Sequence, residues 1–386
     1  MRIIKVSLDG DVDRFGGRAL NVQTNQGSFK TPQRGLTSSE FNYKAKLPFE
    51  PPLNNDISEI VCQFNGKKWE SFMNTNGSFA SRLRTIESYS DKMAYTVTRF
   101  FPQLPKDIEV NDSEIKQLLE LQRMGNLDFI SLPNIPHKVR KFEGLVSSFS
   151  NEVLSEKREP LPYLDMELEA SEFRKRFLTL LELSKSDQIH SIGLIYRPIK
   201  NFIQNYMLLW GNRDAKVFLQ MSGVSREFTK PVGTSTMHLL QKFGIDSFSS
   251  KVGHYFPSKS SKNSTEPTPK SELFHKTKRF DAEPLTYRPF HSWGDGDEPL
   301  NCNCPVCQDM NVDDFIDRYN NRSEDYPGQV FNSANRLHEH YQGSDEFEIS
   351  RKYILTGDLS DYFKSKYGLK KSDIPIKQKT LNGWKK

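Results

Sequence analysis

Three cysteines within six positions, Cys302-Asn303-Cys304-Pro305-Val306-Cys307, constrain this chain more than any other feature. Four cysteines in 386 residues do not make a disulfide framework of the secreted kind, and three thiols this close together point to a shared metal ion. Thiolates bind Zn²⁺ at about 2.3 Å in a tetrahedral arrangement, so a tight local group of ligands is closed by one more from a distant segment. Arg336-Leu337-His338-Glu339-His340-Tyr341 offers that closing ligand on a helix, with His338 preferred and His340 as the alternative. Four protein ligands leave no open position, so the expected zinc is structural and its binding free energy is folding free energy. Cys62, in Ile60-Val61-Cys62-Gln63-Phe64, reads instead as a buried strand residue.

The rest of the chain has room for a large core. Hydrophobic residues make up 35% and charged residues 27%, and the 27 Phe and 14 Tyr oppose disorder, which is poor in aromatics. No apolar run approaches the roughly 20 residues that span a bilayer, and no membrane association is expected. Met1-Arg2-Ile3-Ile4-Lys5-Val6 soon meets Asp9, Asp11 and Asp13, unlike a signal peptide, so the expected location is cytoplasmic. Net charge is only +5, but lysines crowd the stretch from Lys364 to Lys386, and a second basic stretch runs from Lys251 to Arg279. Either is suited to phosphates or to solvent.

Apolar and polar residues alternate over 18–32 around Asn25-Gln26-Gly27, which predicts a β-hairpin. Beyond it short continuous apolar runs recur at Ile57–Phe64, Leu127–Leu132, Leu161–Met166, Ile189–Tyr196, Val217–Met221 and Gly244–Phe248. Buried parallel strands have this pattern. Between them Glu114–Met124, Ala170–Leu183, Asn201–Trp210 and Thr236–Phe243 carry apolar residues at helical spacing. The alternation predicts an α/β fold with a parallel sheet, and the pattern fits a (β/α)8 barrel as well as an open doubly wound sheet. From Pro257 to Glu283 the chain is rich in Ser, Lys, Pro and Thr without periodicity, and reads as a long loop.

The cysteine motif with its downstream histidine resembles that of the tRNA-guanine transglycosylase superfamily, which includes a branch that inserts 7-deazaguanines into DNA. Gly27-Ser28-Phe29-Lys30-Thr31-Pro32 is similar to the family's opening strands, and Ser191-Ile192-Gly193-Leu194 to its glycine-containing strand end. Val217–Val224 followed by Leu240–Phe248 resembles the paired segments that end in Gly-x-Asp-x-Phe-Asp. The resemblance implies a (β/α)8 TIM barrel with an N-terminal β-hairpin and a C-terminal zinc-binding subdomain. The implied limits are 1–34 for the hairpin region, 35–295 for the barrel with its loop at about 257–283, 296–345 for the zinc subdomain and 346–386 for a C-terminal helix and Lys-rich tail.

It also implies exchange of guanine in tRNA or DNA for a 7-deazaguanine through a ribosyl-enzyme intermediate, with dimerisation through the zinc subdomain. Departures from the family pattern fall on its reactive positions. Ser249 stands where the family has its nucleophilic aspartate, leaving Asp246 as the nearby carboxylate, either substitute nucleophile or structural group, and Asn76 occupies the region of the general base. An amide cannot act as a general base. Asp128 and Asp165, at expected strand ends, join Gly193 and Leu194 as candidates for contact with the base. Two readings therefore stand open: a base-exchange transglycosylase, or a catalytically inactive nucleic-acid-binding subunit or paralogue of one.

Overall fold

The structure is a computed structural model that describes residues 2–49, 51–53, 56–64, 66–92, 97–104, 110–134, 142–225, 233–251, 269–293, 296–320 and 330–370. Strands β1 (Ile3–Leu8), β2 (Leu20–Thr24) and β3 (Gly27–Lys30) form an antiparallel sheet, to which the segment read as a hairpin contributes β2 and β3. Next come β4 (Gln33–Arg34), β5 (Leu36–Thr37), β6 (Ile57–Gln63), β7 (Val97–Gln103), β8 (Phe129–Leu132) and β9 (Glu159–Asp165). The series continues with β10 (Ser191–Ile195), β11 (Phe218–Val224), β12 (Gly233–Thr234) and β13 (Ser247–Ser250).

Nine of these segments make one parallel sheet in the order β4-β13-β11-β10-β9-β8-β7-β6-β5. Its two edges, β4 and β5, are halves of one run broken at Gly35, so the sheet curls back on itself as a nearly closed barrel. Helices alternate with the strands, among them Asp112–Met124, Phe142–Ser155, Ala170–Lys185 and Ile203–Gly211. The architecture is TIM-barrel-like, which decides against an open doubly wound sheet. β7 escapes the apolar-run criterion because Thr98, Arg99 and Pro102 interrupt its sequence.

Local chemistry explains how a helix docks. Asn111 and Glu114 form a reciprocal cap at the start of Asp112–Met124, and Ile115, Leu118 and Leu119 line its buried face. From the same face the Gln122 amide donates to the Ser131 carbonyl at 2.9 Å and accepts from the Ser131 N–H at 2.6 Å. Outward residues of the strands, such as Ile60, Phe100, Ile130, Leu164, Ile192, Leu194 and Phe248, share one core with the helices. Residues that open the strands, Ile57, Phe129 and Phe218, pack on Ile3, Leu20, Val22 and Phe29 of the N-terminal sheet, which therefore plugs the barrel's N-terminal end. The Phe29 and Phe218 rings meet edge to face at 5.5 Å.

At that same end Asp246, just before β13, is fully buried against Arg18. The guanidinium donates to both carboxylate oxygens, at 2.9 and 2.5 Å, and its remaining N–H groups reach the carbonyls of Arg213, Ala215 and Val217. The Leu219 N–H donates to Asp246 at 2.7 Å. Burial pushes the carboxyl pKa up while the Arg18 guanidinium opposes the shift. The expectation that Asp246 serves as nucleophile is thus corrected: it is a structural carboxylate at the end opposite to the one where such barrels react.

Beyond the barrel, β14 (Lys278–Asp281) and β15 (Thr286–Pro289) pair with β12 in a small antiparallel sheet. The expected long loop is corrected over its second part, where the helix Lys270–Lys276 and β14 form. Its residues 257–268, and the Lys-rich tail beyond 370, lie outside the described residues. The helix Val330–Thr356 crosses the expected limit at 345, so the metal subdomain and the C-terminal helix share one element. Phe347 on this helix stacks on Phe248 of β13 at 5.1 Å and on His238 at 4.3 Å, which fastens it to the barrel.

Removing one partner of a buried pair strands the other charge, at a cost of about 3–5 kcal/mol. Asp246→Ala should lower unfolding free energy by about this amount in denaturant titrations, with Arg18 left unpaired.

Candidate functional site

Cys302, Cys304, Cys307 and His338 are all buried, and their ligand atoms lie within 4.8 Å of one another. The cysteines occupy a tight turn closed by the Cys307 N–H donating to the Cys304 carbonyl at 2.9 Å. His338 comes from the third turn of Val330–Thr356. Its Nδ1 stands 3.4, 3.6 and 3.3 Å from the sulfurs of Cys302, Cys304 and Cys307. Tetrahedral coordination with the usual metal–sulfur and metal–nitrogen bond lengths separates S and N by roughly 3.5 Å, so the arrangement fits a four-coordinate metal. Nε2 lies 2.9 Å from the Phe280 carbonyl, a contact that selects the tautomer with the Nδ1 lone pair turned to the sulfurs.

His340, the alternative, belongs elsewhere. Residues two apart on a helix point about 200° apart, so only one of the two histidines can face the cysteines. The His340 Nδ1 lies 3.6 Å from the Glu40 carboxylate, itself paired with Arg34 at 2.5 Å. Glu40 also closes the cap of the helix Ser38–Lys44. His340 therefore ties the metal-bearing helix to the start of the barrel.

Sequence reading missed Arg279 because it lay in the stretch taken for a loop. It is 1% exposed, donates to the Cys307 sulfur at 2.7 Å, and sits over the Phe315 ring at 4.6 Å. Burial pushes the Cys307 thiol up, but hydrogen bonds from Cys302 and Cys304 and the Arg279 charge outweigh it and hold it well below the usual thiol range. A cation beside the cluster offsets the surplus negative charge of three thiolates on a divalent ion.

The remaining candidates scatter. Asn76 is exposed and opens the helix Asn76–Lys92 of the outer layer, so it is no strand-end base. Asp128 precedes β8 and accepts from the Thr98 N–H at 3.1 Å, which places it at the N-terminal end rather than the reactive rim. Leu194 faces the helices in the outer core. Asp165 ends β9 at the C-terminal rim, where Arg197 donates to both its oxygens at 2.8 and 2.5 Å. Gly193 lies inside, and a Cβ there would come within 2.5 Å of the Tyr163 ring, so glycine makes room for the tyrosine.

Ser249 points into the barrel, fully buried, and accepts from Arg99 at 3.2 Å and from the Gln220 amide at 3.0 Å. Glu59, also fully buried, accepts from the Ser222 hydroxyl and has Tyr163 and Ser249 beside it. The Tyr163 and Ser222 hydroxyls are 3.0 Å apart. Gly35 allows the Arg99–Ser249 contact, since a Cβ there would lie 2.9 Å from the guanidinium and 3.1 Å from the serine oxygen. The signal for this network was a charged residue within each of two strand segments, Ser58-Glu59-Ile60 and Thr98-Arg99-Phe100. Outside the ring, a cavity of about 220 Å³ separates the ends of β11 and β13 from the metal subdomain. Ser225, Ser250, Lys251, Thr236 and Arg336 are among its walls.

Metal analysis of the purified protein should give one ion per chain. His338→Ala should lose it and expose the region around 302–338 to protease, whereas His340→Ala should retain it.

Comparison with protein-family models and with curated proteins found no match, so the fold and the cluster of Cys302, Cys304, Cys307 and His338 carry the functional reading.

Proposed function

We propose that this protein exchanges guanine in a nucleic acid, tRNA or DNA, for a 7-deazaguanine through a ribosyl-enzyme intermediate. The observation that carries this reading is the juxtaposition of two units: a TIM-barrel-like ring and, beyond its C-terminal rim, a Cys3His cluster carried by a helix packed on β13. The transglycosylase-like segments of the sequence fall on β10, β11 and β13 of that ring and on β3 of the sheet that plugs it. Lys251 and Arg336 flank the cavity between the units and offer cations to a phosphate backbone. The metal is inferred to be zinc in a structural role, because three sulfurs and one nitrogen complete a tetrahedron and leave no position for water. A cytoplasmic location is inferred with it, since thiolate ligands persist in a reducing compartment. Among the described residues no helix is long and apolar enough to cross a membrane.

Pairing of two copies, or with a partner subunit, would use the same subdomain. Ile349 and Tyr353, four residues apart on the helix that bears His338, are 38% and 37% exposed.

A second reading, a binding subunit without chemistry, draws on Asp246 being locked to Arg18 and on Ser249 lacking a carboxylate of its own. The two separate in one experiment. Protein incubated with tRNA or duplex DNA and radiolabelled guanine or 7-deazaguanine should transfer label into the polymer. Binding that weakens with salt, without incorporation, would favour the inactive subunit.

A further inference from the structure

The middle of the barrel holds an unsatisfied polar cluster. Glu59 Oε1, Arg99 Nε and Nη1 and Gln220 Oε1 are buried and have no hydrogen-bond partner among the described residues. Buried polar atoms are nearly always paired, and a group of them left open inside one ring is a place prepared for a ligand with donors and acceptors of its own. A hydrophobic layer would have filled this space at lower cost. The N-terminal layer of the same barrel, with Ile57, Phe129, Leu161 and Phe218, is filled in that way.

Glu59 is also placed to act. It rises from β6, yet its carboxylate accepts from the hydroxyl of Ser222 on β11 and lies beside Ser249 of β13. Ser222 lies two residues beyond Gln220, one layer nearer the C-terminal rim, so the carboxylate reaches toward the reactive end. The Asp165 carboxylate, nearer the rim, is held through both oxygens by Arg197, and Asp246 is locked at the opposite end.

We propose that Glu59 is the carboxylate nucleophile of this barrel, delivered from the second stave to the point where Ser249 of the last stave stands. The inference rests on the base-exchange reading given above. In the first step a Glu59 oxygen forms a bond to the ribose C1′ as the bond from C1′ to guanine N9 breaks. The bonding pair leaves on the guanine, which takes up a proton. In the second step the incoming 7-deazaguanine loses the proton of its ring nitrogen, that nitrogen bonds to C1′, and Glu59 departs as carboxylate. The proton lost by the incoming base balances the one gained by guanine, and no oxidant or reductant enters. Arg99 and Gln220, with their open donors and acceptor, face the same point and would hold the base or sugar.

Burial pushes the Glu59 pKa up, opposed by Arg99. A nucleophile must be ionised, so wild-type exchange should be complete at high pH and fall on acidification above the usual glutamate range. A profile flat down to that range would overturn the proposal without any variant.

The variants use full-length protein, tRNA or DNA, and labelled guanine. Glu59→Gln should reduce incorporation by about 10³-fold or more, with thermal unfolding used to verify that it folds. The double variant Glu59→Gln/Ser249→Asp, which returns a carboxylate to the same point, should regain part of the exchange. Exchange within about tenfold of wild type in Glu59→Gln would overturn the assignment and leave the base-exchange reading standing. No incorporation by the wild type with either polymer would overturn both readings together.

Discussion

Closing a parallel sheet through the short run 33–37 is the constraint on which the rest of the structure depends. That run must pair with β13 on one side and β6 on the other, and it does so by breaking at Gly35. The break also lets Arg99 approach Ser249. Closure and a polar interior are therefore served by the same residue. Once the ring is nearly closed, every inward side chain must find a partner within it, and each layer reveals its use by what fills it.

The layers divide in this way. The N-terminal layer is apolar and sealed by β1–β3, and the Arg18–Asp246 pair fastens the chain at that end. The middle carries Glu59, Arg99, Gln220 and Ser249, where charge is retained at an energetic cost. Beyond the rim, the helix Val330–Thr356 joins the barrel through Phe347 and His340 while it presents His338 to three cysteines. Two residues along one helix separate the barrel contact from the metal ligand. Metal binding and the position of this helix against the barrel are coupled for that reason.

Much of the fold could be read from residues alone. Continuous apolar runs marked most of the staves, and the spacing of Cys302, Cys304 and Cys307 marked the metal subdomain with His338 as its closing ligand. β7 was missed because Thr98, Arg99 and Pro102 interrupt its apolar run, so the arginine that hid the strand is the one that gives the barrel interior its charge. Asp246 shows the converse. Its place in a motif suggested chemistry, but a carboxylate one residue before a parallel strand begins lies at the wrong end of the barrel, and that follows from strand limits no motif supplies. Glu59 was beyond reach because its neighbourhood with Ser249 exists only once the ring closes and brings the second and last staves to either side of the run 33–37.

Covalent exchange in the barrel interior, with Glu59 as the reacting carboxylate, is a proposal open to direct measurement. Its most direct test is mass spectrometry of protein quenched by denaturation during turnover on nucleic acid, then digested. The account predicts a nucleotide adduct on the peptide containing Ile57–Gln63, and an adduct confined to any other peptide, or none while label is being incorporated, would contradict it.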